Sequence, residues 1–140
     1  MPAPERVFVA LGSNLGDRAA HLAHARARLG ALPGTRLLGA SAVEETDPVG
    51  PVPQDPYLNQ MVLLETTLSP RVLLGHCLAT EAERGRRRGV RWGPRTLDLD
   101  IVRFGDRKIE EPGLVIPHPE LGHREFWRRE MAELEAPVHG

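Results

Sequence analysis

The chain has 140 residues, a net charge of −1 and a single cysteine, Cys77. This length suits one domain, residues 1–140, whose core needs no metal or disulfide to hold it together. One cysteine cannot form an internal disulfide, which indicates a reducing compartment. No segment has the length of a membrane span or of a secretory signal, so we expect a cytoplasmic protein that binds no membrane. The small net charge argues against global attraction to nucleic acid.

Hydrophobic periodicity predicts alternating strands and helices along the chain. Ser69 and Pro70 mark one helix start, because serine caps a helix and proline fits its first turn. The preceding helix, which contains Leu22, is capped by either Ser13 or Asp17. In chain order, the predicted elements are a strand at 6–11, a helix with the apolar stripe Leu22, Ala25 and Leu29, strands at 35–45 and 57–66, a helix at 70–84, a strand at 97–104 and a helix at 123–134.

The order β-α-β-β-α-β predicts an α+β, ferredoxin-like fold: an antiparallel sheet with flanking helices packed on one face. The last helix, whose apolar stripe is Trp127, Met131 and Leu134, is then a C-terminal helical appendage. Long loops are expected at 46–56, which contains four prolines, and at 85–94, which is rich in arginine. Long loops are usually functional or disordered. This fold serves RNA binding, metal carriage and catalysis alike, so function has to come from particular residues.

The most informative segment is 90–100. Its end alternates apolar and acidic side chains, so a strand there directs Asp98 and Asp100 to one face and their apolar neighbours to the core. Two adjacent carboxylates repel each other unless a cation lies between them. Oxygen ligands on a rigid strand suit Mg²⁺ that takes its remaining ligands from water and phosphate. The alternative is an unremarkable pair of aspartates on an exposed strand face.

Positive charge is concentrated next to this pair. Arginine forks match the geometry of phosphate oxygens, so the cluster favours phosphoryl chemistry on a nucleotide. In that hypothesis, Arg86, Arg88 and Arg95 neutralise the charge that develops as a phosphoryl group moves. The alternative is a solvated run of charge. The cluster consists of Arg84, Arg86, Arg87, Arg88, Arg91 and Arg95.

Three other positions suggest ligand contacts. Tyr57 and Asn59 begin a buried strand on one face, and an aromatic ring with an amide suits a flat heterocycle that has a hydrogen-bonding edge. For Asn59, a turn or bulge position is the alternative. Glu81 lies on the inward side of its helix, where it either pairs with a loop arginine or accepts a nucleotide hydroxyl. The glycine-rich segment 12–16 favours a tight strand-to-helix turn over a phosphate cradle.

Five stretches of the chain match motifs of a known family. They are Ala10-Leu-Gly-Ser-Asn-Leu-Gly-Asp17, Pro56-Tyr-Leu-Asn59, Glu81-x-x-x-Gly85-Arg86, Arg91-Trp-Gly-Pro-Arg-Thr-Leu-Asp-Leu-Asp-Ile101 and Ile116-Pro-His-Pro119. Together, and in this order, they resemble the 6-hydroxymethyl-7,8-dihydropterin pyrophosphokinases, enzymes of folate biosynthesis, over nearly the whole chain. The fourth stretch is the most specific.

The resemblance implies transfer of a pyrophosphoryl group from ATP to the hydroxymethyl oxygen of the pterin, with release of AMP. It assigns Asp98 and Asp100 to two Mg²⁺ ions and makes Arg86 and Arg95 the catalytic arginines. The implied ATP contacts are Leu74, Glu81, Arg88, Trp92, Ile101, His118 and Arg124. The implied pterin contacts are Thr46, Val49, Tyr57, Asn59, Trp92 and Phe126. The three loops at 13–17, 46–56 and 85–95 would act as lids that exclude water.

The chain departs from well-known members of that family at residues 127–130, which are more polar than the apolar run often seen there. Two other classes of protein share some features. An RNA-binding module would use the arginine-rich loop and Trp92, but only 4% of the residues are aromatic. A two-metal nuclease or nucleotidyltransferase would keep the aspartate pair, but the short chain leaves little room for a duplex. We therefore expect a monomer with ATP and the pterin as partners, and no nucleic acid.

Overall fold

The computed structural model describes residues 3–47, 50–51, 53–85 and 96–135. The predicted strands and helices occur in the predicted order, with ends that shift by one or two residues, except that the strand at 35–45 is divided and a short hairpin is added before the last helix. The elements are β1 (Glu5–Ser13), α1 (Arg18–Gly30), β2 (Thr35–Ala40), β3 (Glu44–Thr46), β4 (Tyr57–Thr66), α2 (Pro70–Glu83), β5 (Asp98–Phe104), β6 (Ile109–Glu111), β7 (Leu114–Ile116) and α3 (Glu125–Glu135).

The main sheet has β1 at its centre. The strand order is β2-β4-β1-β5, and β3 pairs with β4 beyond the end of β2. Every pair in this sheet is antiparallel. This is the arrangement of the split βαβ fold, so the predicted α+β, ferredoxin-like class is confirmed.

The predicted single strand at 35–45 is wrong, because the structure divides it into β2 and β3. Ser41 lies at the break. Its N–H donates to the Met61 carbonyl at 2.8 Å, and its Oγ accepts the Met61 N–H at 2.9 Å. The Gln60 side chain donates to the Ser41 carbonyl at 2.7 Å. Hydrogen bonds from side chains therefore replace the regular ladder here, and pairing with β4 resumes in β3.

The first face of the sheet is the side of β1 that carries Val7, Val9 and Leu11. Helices α1 and α2 cover it, and the predicted stripe of α1 is buried there. Cys77 of α2 belongs to the same core, and burial raises the pKa of its thiol to about 12. The buried members contributed by the two helices are Leu22, Ala25, Leu29, Leu73 and Cys77.

The second face is the opposite side of β1, which carries Phe8, Ala10 and Gly12. Helix α3 packs on it through Trp127 and Met131, which confirms the apolar stripe predicted for the last helix. The C-terminal helix is thus a second cover for the sheet. Because both faces of β1 are covered, seven of its nine residues are buried.

The helix starts follow from their capping residues. The Asp17 side chain accepts a backbone N–H from the first turn of α1 at 3.1 Å, so Asp17, and not Ser13, is the N-cap. Ser69 caps α2 in the same way, and Pro70 is the first residue of that helix, as predicted. No helix in the described parts of the chain is long and apolar enough to cross a membrane.

A short hairpin, β6–β7, was not predicted. Pro112 and Gly113 form its turn, and Gly113 has φ 75°. Proline followed by a glycine with positive φ is the signature of a type II turn, so the sequence carried a signal for the reversal. The strands themselves have three residues each, which is too short to show periodicity.

Candidate active site

The ends of β4, β1 and β5 form a row across the second face. Gly12 in β1 lies directly opposite Asn59 in β4 and opposite Asp98 in β5. Opposite residues of antiparallel strands direct their side chains to the same face, so Asn59 and Asp98 flank Gly12. A Cβ atom at Gly12 would lie 3.4 Å from the Tyr57 ring and 3.5 Å from Asn59 Oδ1. The place beside Gly12 that has no side chain, bordered by Tyr57 and Asn59, is here called the Gly12 hollow.

Three predicted pterin contacts border this hollow. Asn59 is 8% exposed, and its Nδ2 donates a hydrogen bond to Thr46 Oγ1. Thr46 lies opposite Tyr57 in the β3–β4 register, so both side chains are on the second face. The bond to Thr46 orients the amide, so that Oδ1 is the atom next to the hollow.

The carboxylate pair lies on the other side of the hollow. Asp98 and Asp100 are half-buried and alternate with buried residues of β5. Leu97, Leu99 and Ile101 are at most 6% exposed and belong to the core of the first face. The predicted orientation of the strand, with both carboxylates on one side and the apolar residues on the other, is confirmed.

His118 lies beside this pair. Its Nε2 is 3.5 Å from Asp100 Oδ1, and its backbone N–H donates to the Val102 carbonyl at 2.9 Å. The Nδ1 atom accepts the Glu120 N–H at 3.0 Å, so the ring proton of the neutral imidazole is on Nε2 and faces the aspartate. The edge-to-face contact of the His118 and Trp127 rings, with centroids 5.0 Å apart, fixes the ring plane.

Helix α3 brings two more predicted residues to the second face. Phe126 is half-buried against the core of that face, and its ring centroid is 6.3 Å from that of Trp127. The Arg124 guanidinium lies over the Trp127 ring at 4.5 Å. Such a cation–π contact holds the arginine at the start of the helix, close to the segment that carries His118.

Three other predicted ATP contacts, Leu74, Glu81 and Ile101, lie on the opposite side of β5. Ile101 is buried in the core of the first face, and Leu74 of α2 packs against that core. Glu81 is 6% exposed, and its Oε2 accepts the Leu99 N–H at 2.8 Å. This bond to the backbone was not among the two roles predicted for Glu81.

The predicted ATP residues are therefore divided by β5. This strand is the outer strand of the described sheet, with β1 as its neighbour. Leu99 directs its N–H outward to Glu81, and alternate residues of a strand direct their backbone groups to the same side. Ile101 thus presents its N–H and C=O at the outer edge of β5. A ligand that contacts both sets of residues has to lie along this edge.

Five predicted site residues are outside the described residues: Val49, Arg86, Arg88, Trp92 and Arg95. The end of α2, which leads into the arginine-rich segment, is described. There, Arg84 Nε donates to His21 Nδ1 at 2.9 Å and joins α2 to α1. Burial and the neighbouring Arg84 guanidinium lower the pKa of His21, which favours the neutral ring that this bond requires.

Two residues that organise the site were missed. Asn14, 2% exposed, donates through Nδ2 to Gln54 Oε1 at 2.7 Å and to the Asp55 carbonyl at 3.0 Å. Arg18 donates to the Pro56 carbonyl at 2.9 Å. Together they fasten the turn after β1 to the segment that leads into Tyr57. The rarity of asparagine in this chain, which has only Asn14 and Asn59, was the available signal.

Comparison with known proteins assigns the chain to a class of enzymes, the pyrophosphokinases. The profile of the family described as 7,8-dihydro-6-hydroxymethylpterin-pyrophosphokinase matches residues 8–136. The match covers almost the whole chain and confirms the resemblance seen in the motifs. The chain belongs to this family and is an ATP-dependent diphosphokinase.

Individual relatives agree. A protein of Pseudomonas aeruginosa named 2-amino-4-hydroxy-6-hydroxymethyldihydropteridine pyrophosphokinase is 42% identical over 130 residues, which cover 93% of this chain and 80% of that protein. The protein of the same name from Bacillus subtilis is 43% identical over 127 residues, covering 91% and 76%. The one from Haemophilus influenzae is 41% identical over 119 residues, covering 85% and 74%.

Proposed function

We propose that this protein transfers the pyrophosphoryl group of ATP to the hydroxymethyl oxygen of 6-hydroxymethyl-7,8-dihydropterin, in folate biosynthesis. The observation that carries this proposal is the row Asn59, Gly12, Asp98 across the second face. An amide suited to a heterocycle and a carboxylate suited to a metal-bound phosphate chain flank one hollow. They are two strand spacings apart, about 10 Å, a span that a bicyclic ring with its side arm can fill.

The pterin would occupy the Gly12 hollow. Tyr57 and Phe126 supply aromatic surface on the second face, and stacked rings of this kind contribute about 0.5–1.5 kcal/mol beyond their buried area. Asn59 Oδ1 points to the hollow and is an acceptor for ring N–H groups. The bond from Asn59 to Thr46 fixes the amide before the ligand arrives, which lowers the entropy lost on binding.

The nucleotide would lie along the outer edge of β5. The N–H and C=O of Ile101 offer a donor and an acceptor at this edge, which is the pairing that the edge of an adenine ring requires. Glu81 and Leu74 border the edge on the side of α2, and His118 and Arg124 border it on the side of α3. This placement directs the phosphate chain toward Asp100.

The carboxylate pair fits Mg²⁺ by its donor chemistry. Asp98 and Asp100 are hard oxygen donors on one face, and the side chain of Asp100 is 34% exposed. No group of three or more histidine, cysteine, aspartate or glutamate residues within the described ranges could hold a metal, so the other ligands would be phosphate oxygens and water. Two bound Mg²⁺ ions would offset the charge of the triphosphate and favour the ionised hydroxymethyl oxygen.

In the proposed reaction, the hydroxymethyl oxygen attacks the β-phosphorus of ATP and loses its proton to water. The bond from the β-phosphorus to the oxygen that bridges it to the α-phosphorus breaks, and AMP leaves. His118 directs its Nε2–H toward Asp100 and can donate to a phosphate oxygen held there. Arg86 and Arg95 remain predicted partners of the same phosphates. We expect a monomer acting in the cytoplasm.

The test is to incubate the protein with MgATP and 6-hydroxymethyl-7,8-dihydropterin and to identify the nucleotide product. AMP that appears only in the presence of the pterin supports the proposal. ADP would show that a single phosphoryl group moves and would contradict it. No turnover by folded protein, together with tight and strongly salt-dependent RNA binding in a filter assay, would favour the RNA-binding alternative.

A further inference from the structure

Helix α3 is clamped to the segment that begins β3. Arg129 Nη2 donates to Glu44 Oε2 at 2.8 Å, and the Ala42 N–H donates to Glu133 Oε2 at 3.0 Å. Arg129 and Glu133 are one helical turn apart, so the two contacts hold one face of the helix against residues 42–44.

Glu130 lies within this contact and is unusual for its burial. It is 2% exposed, like its neighbours Trp127 and Met131 in the core of the second face. Within the described part of the chain, no N–H or hydroxyl group donates to either carboxyl oxygen; the side chain that faces Glu130 is the carboxylate of Glu44. Burying an ionised carboxylate without hydrogen bonds is very costly, whereas a neutral acid costs far less.

The charges around Glu130 also favour the neutral form. Burial raises the pKa of Glu130 to about 8, and Glu44 of β3 contributes both through its negative charge and through a side-chain hydrogen bond that the neutral acid can donate to it. On α3 itself, Glu133 acts in the same direction and Arg129 in the opposite one. Arg129 is, however, engaged by Glu44. The central strands contribute apolar side chains to this layer, and Arg103 of β5 pairs with Glu135.

The clamp connects two walls of the Gly12 hollow. Glu44 lies directly opposite Asn59 in the β3–β4 register, and Thr46 of the same short strand accepts the Asn59 hydrogen bond. On the helix, Phe126 precedes Glu130 by four residues, which is one turn on the same face. A shift of α3 relative to β3 therefore changes the distance between the aromatic wall and the amide.

We propose that Glu130 is a positioning residue for the pterin, and that it works as a neutral acid. With the side chain protonated, α3 packs against β3. Loss of the proton in mildly alkaline solution weakens this packing, and pterin binding becomes weaker as a result. The nucleotide, which lies along the edge of β5, is affected far less. This inference rests on the proposed function.

The experiment measures the dissociation constants of the pterin and of a non-hydrolysable ATP analogue by calorimetry, from pH 6.5 to 9.5. Wild type is compared with Glu130→Gln, which keeps the shape without the charge. The matched control is Glu125→Gln, the same change at an exposed position of α3. The ratio of wild type to variant at each pH cancels the titration of the pterin itself.

At pH 9, one unit above the pKa of about 8, roughly a tenth of the molecules keep the proton, so wild type should bind the pterin about tenfold more weakly than at neutral pH. Glu130→Gln should lack this loss, and Glu125→Gln should retain it. The same pH dependence in wild type and Glu130→Gln, or a parallel loss of ATP-analogue affinity, would overturn the inference.

A second variant, Glu44→Gln, keeps the inference testable if Glu130→Gln does not fold. Glu44→Gln removes the neighbouring carboxylate and frees Arg129, so the transition in pterin affinity should move to lower pH; an unchanged midpoint counts against the proposal. Thermal unfolding of ligand-free wild type and Glu130→Gln across the same pH range tests the buried acid without any ligand. If neither wild type nor any variant binds the pterin at any pH, the proposed function fails. The pH dependence of thermal unfolding in wild type and Glu130→Gln then decides whether Glu130 is neutral in the folded protein.

Discussion

The two faces of the sheet use the same central strand for different purposes. On the first face, Val9 and Leu11 pack under α1 and α2 in a continuous apolar core. On the second face, Ala10 and Gly12 alternate with them, and the apolar contact with α3 gives way to the row of Asn59, Gly12 and Asp98. The period of two in a strand thus places the apolar core and the row of proposed site residues on opposite faces of one stretch of four residues, 9–12. Changes on the two faces should therefore have separable effects.

The largest effect is expected from the carboxylate pair. Asp100→Asn removes a negative charge from the candidate metal site, so kcat/KM should fall by about 10³-fold or more, roughly 4 kcal/mol of transition-state stabilisation. The melting temperature should stay within a few degrees of wild type. Steady-state kinetics and circular dichroism measure both. Asp106→Asn, the same change at an exposed turn position, is the control, and activity of Asp100→Asn near that of the control would remove Asp100 from the site.

On the first face, a substitution should lower stability and leave activity nearly unchanged. Leu73 is fully buried under the sheet, and Leu73→Ala should lower the free energy of unfolding by about 2–5 kcal/mol because it leaves a cavity. Turnover per folded molecule at low temperature should change little. Urea unfolding and kinetics on the same sample separate the two quantities. A large loss of kcat in fully folded protein would show that the faces are not independent.

Asn59→Ala tests whether the pterin and the nucleotide bind through different residues. Loss of the amide removes the acceptor beside the hollow and the bond to Thr46, so the pterin should bind about 10- to 100-fold more weakly, or 1.4–3 kcal/mol. Affinity for ATP should be nearly unchanged, because the proposed nucleotide contacts lie along β5. Calorimetry with each ligand measures the difference. Equal losses for both ligands would refute the proposed role of the amide.

The smallest expected effect, measured per pH unit, is a pH dependence of stability that comes from the second face. The pKa of Glu130 is about 8 in the folded protein and close to 4.5 when unfolded, so between these values the folded state holds one extra proton. Its contribution to stability is complete below pH 4.5 and is lost as the pH rises to 8. The loss is at most about 1.4 kcal/mol per pH unit. Urea unfolding should show this slope in wild type and a shallower one in Glu130→Gln; identical slopes would mean that Glu130 is already ionised.

Much of this division was predictable from the sequence. Alternation at 97–101 placed the aspartates and the core residues of β5 correctly, because one buried face of a strand leaves only one register. Ser69 and Pro70 fixed the start of α2 through capping chemistry. The motifs gave the family, and they also selected Asn59, Tyr57 and His118, which the structure brings to the second face.

Other features depend on contacts between distant parts of the chain. The break between β2 and β3 follows from hydrogen bonds between Ser41 and β4, twenty residues away. Asn14 acts on Gln54 across 40 positions, and no local pattern reports such a contact. Glu130 looked like one more charge in a polar helix. Glu130 is buried because α3 packs on the second face, and the sequence of the helix alone does not indicate that contact.

The contacts on the outer edge of β5 have a consequence for the solubility of the chain. An edge strand with unpaired backbone groups invites another chain to add a strand and begin aggregation. Here, the Glu81 carboxylate accepts the Leu99 N–H, and the His118 N–H takes the Val102 carbonyl. The Glu81 carboxylate therefore blocks the edge on one side of Ile101, and the segment that carries His118 blocks it on the other side.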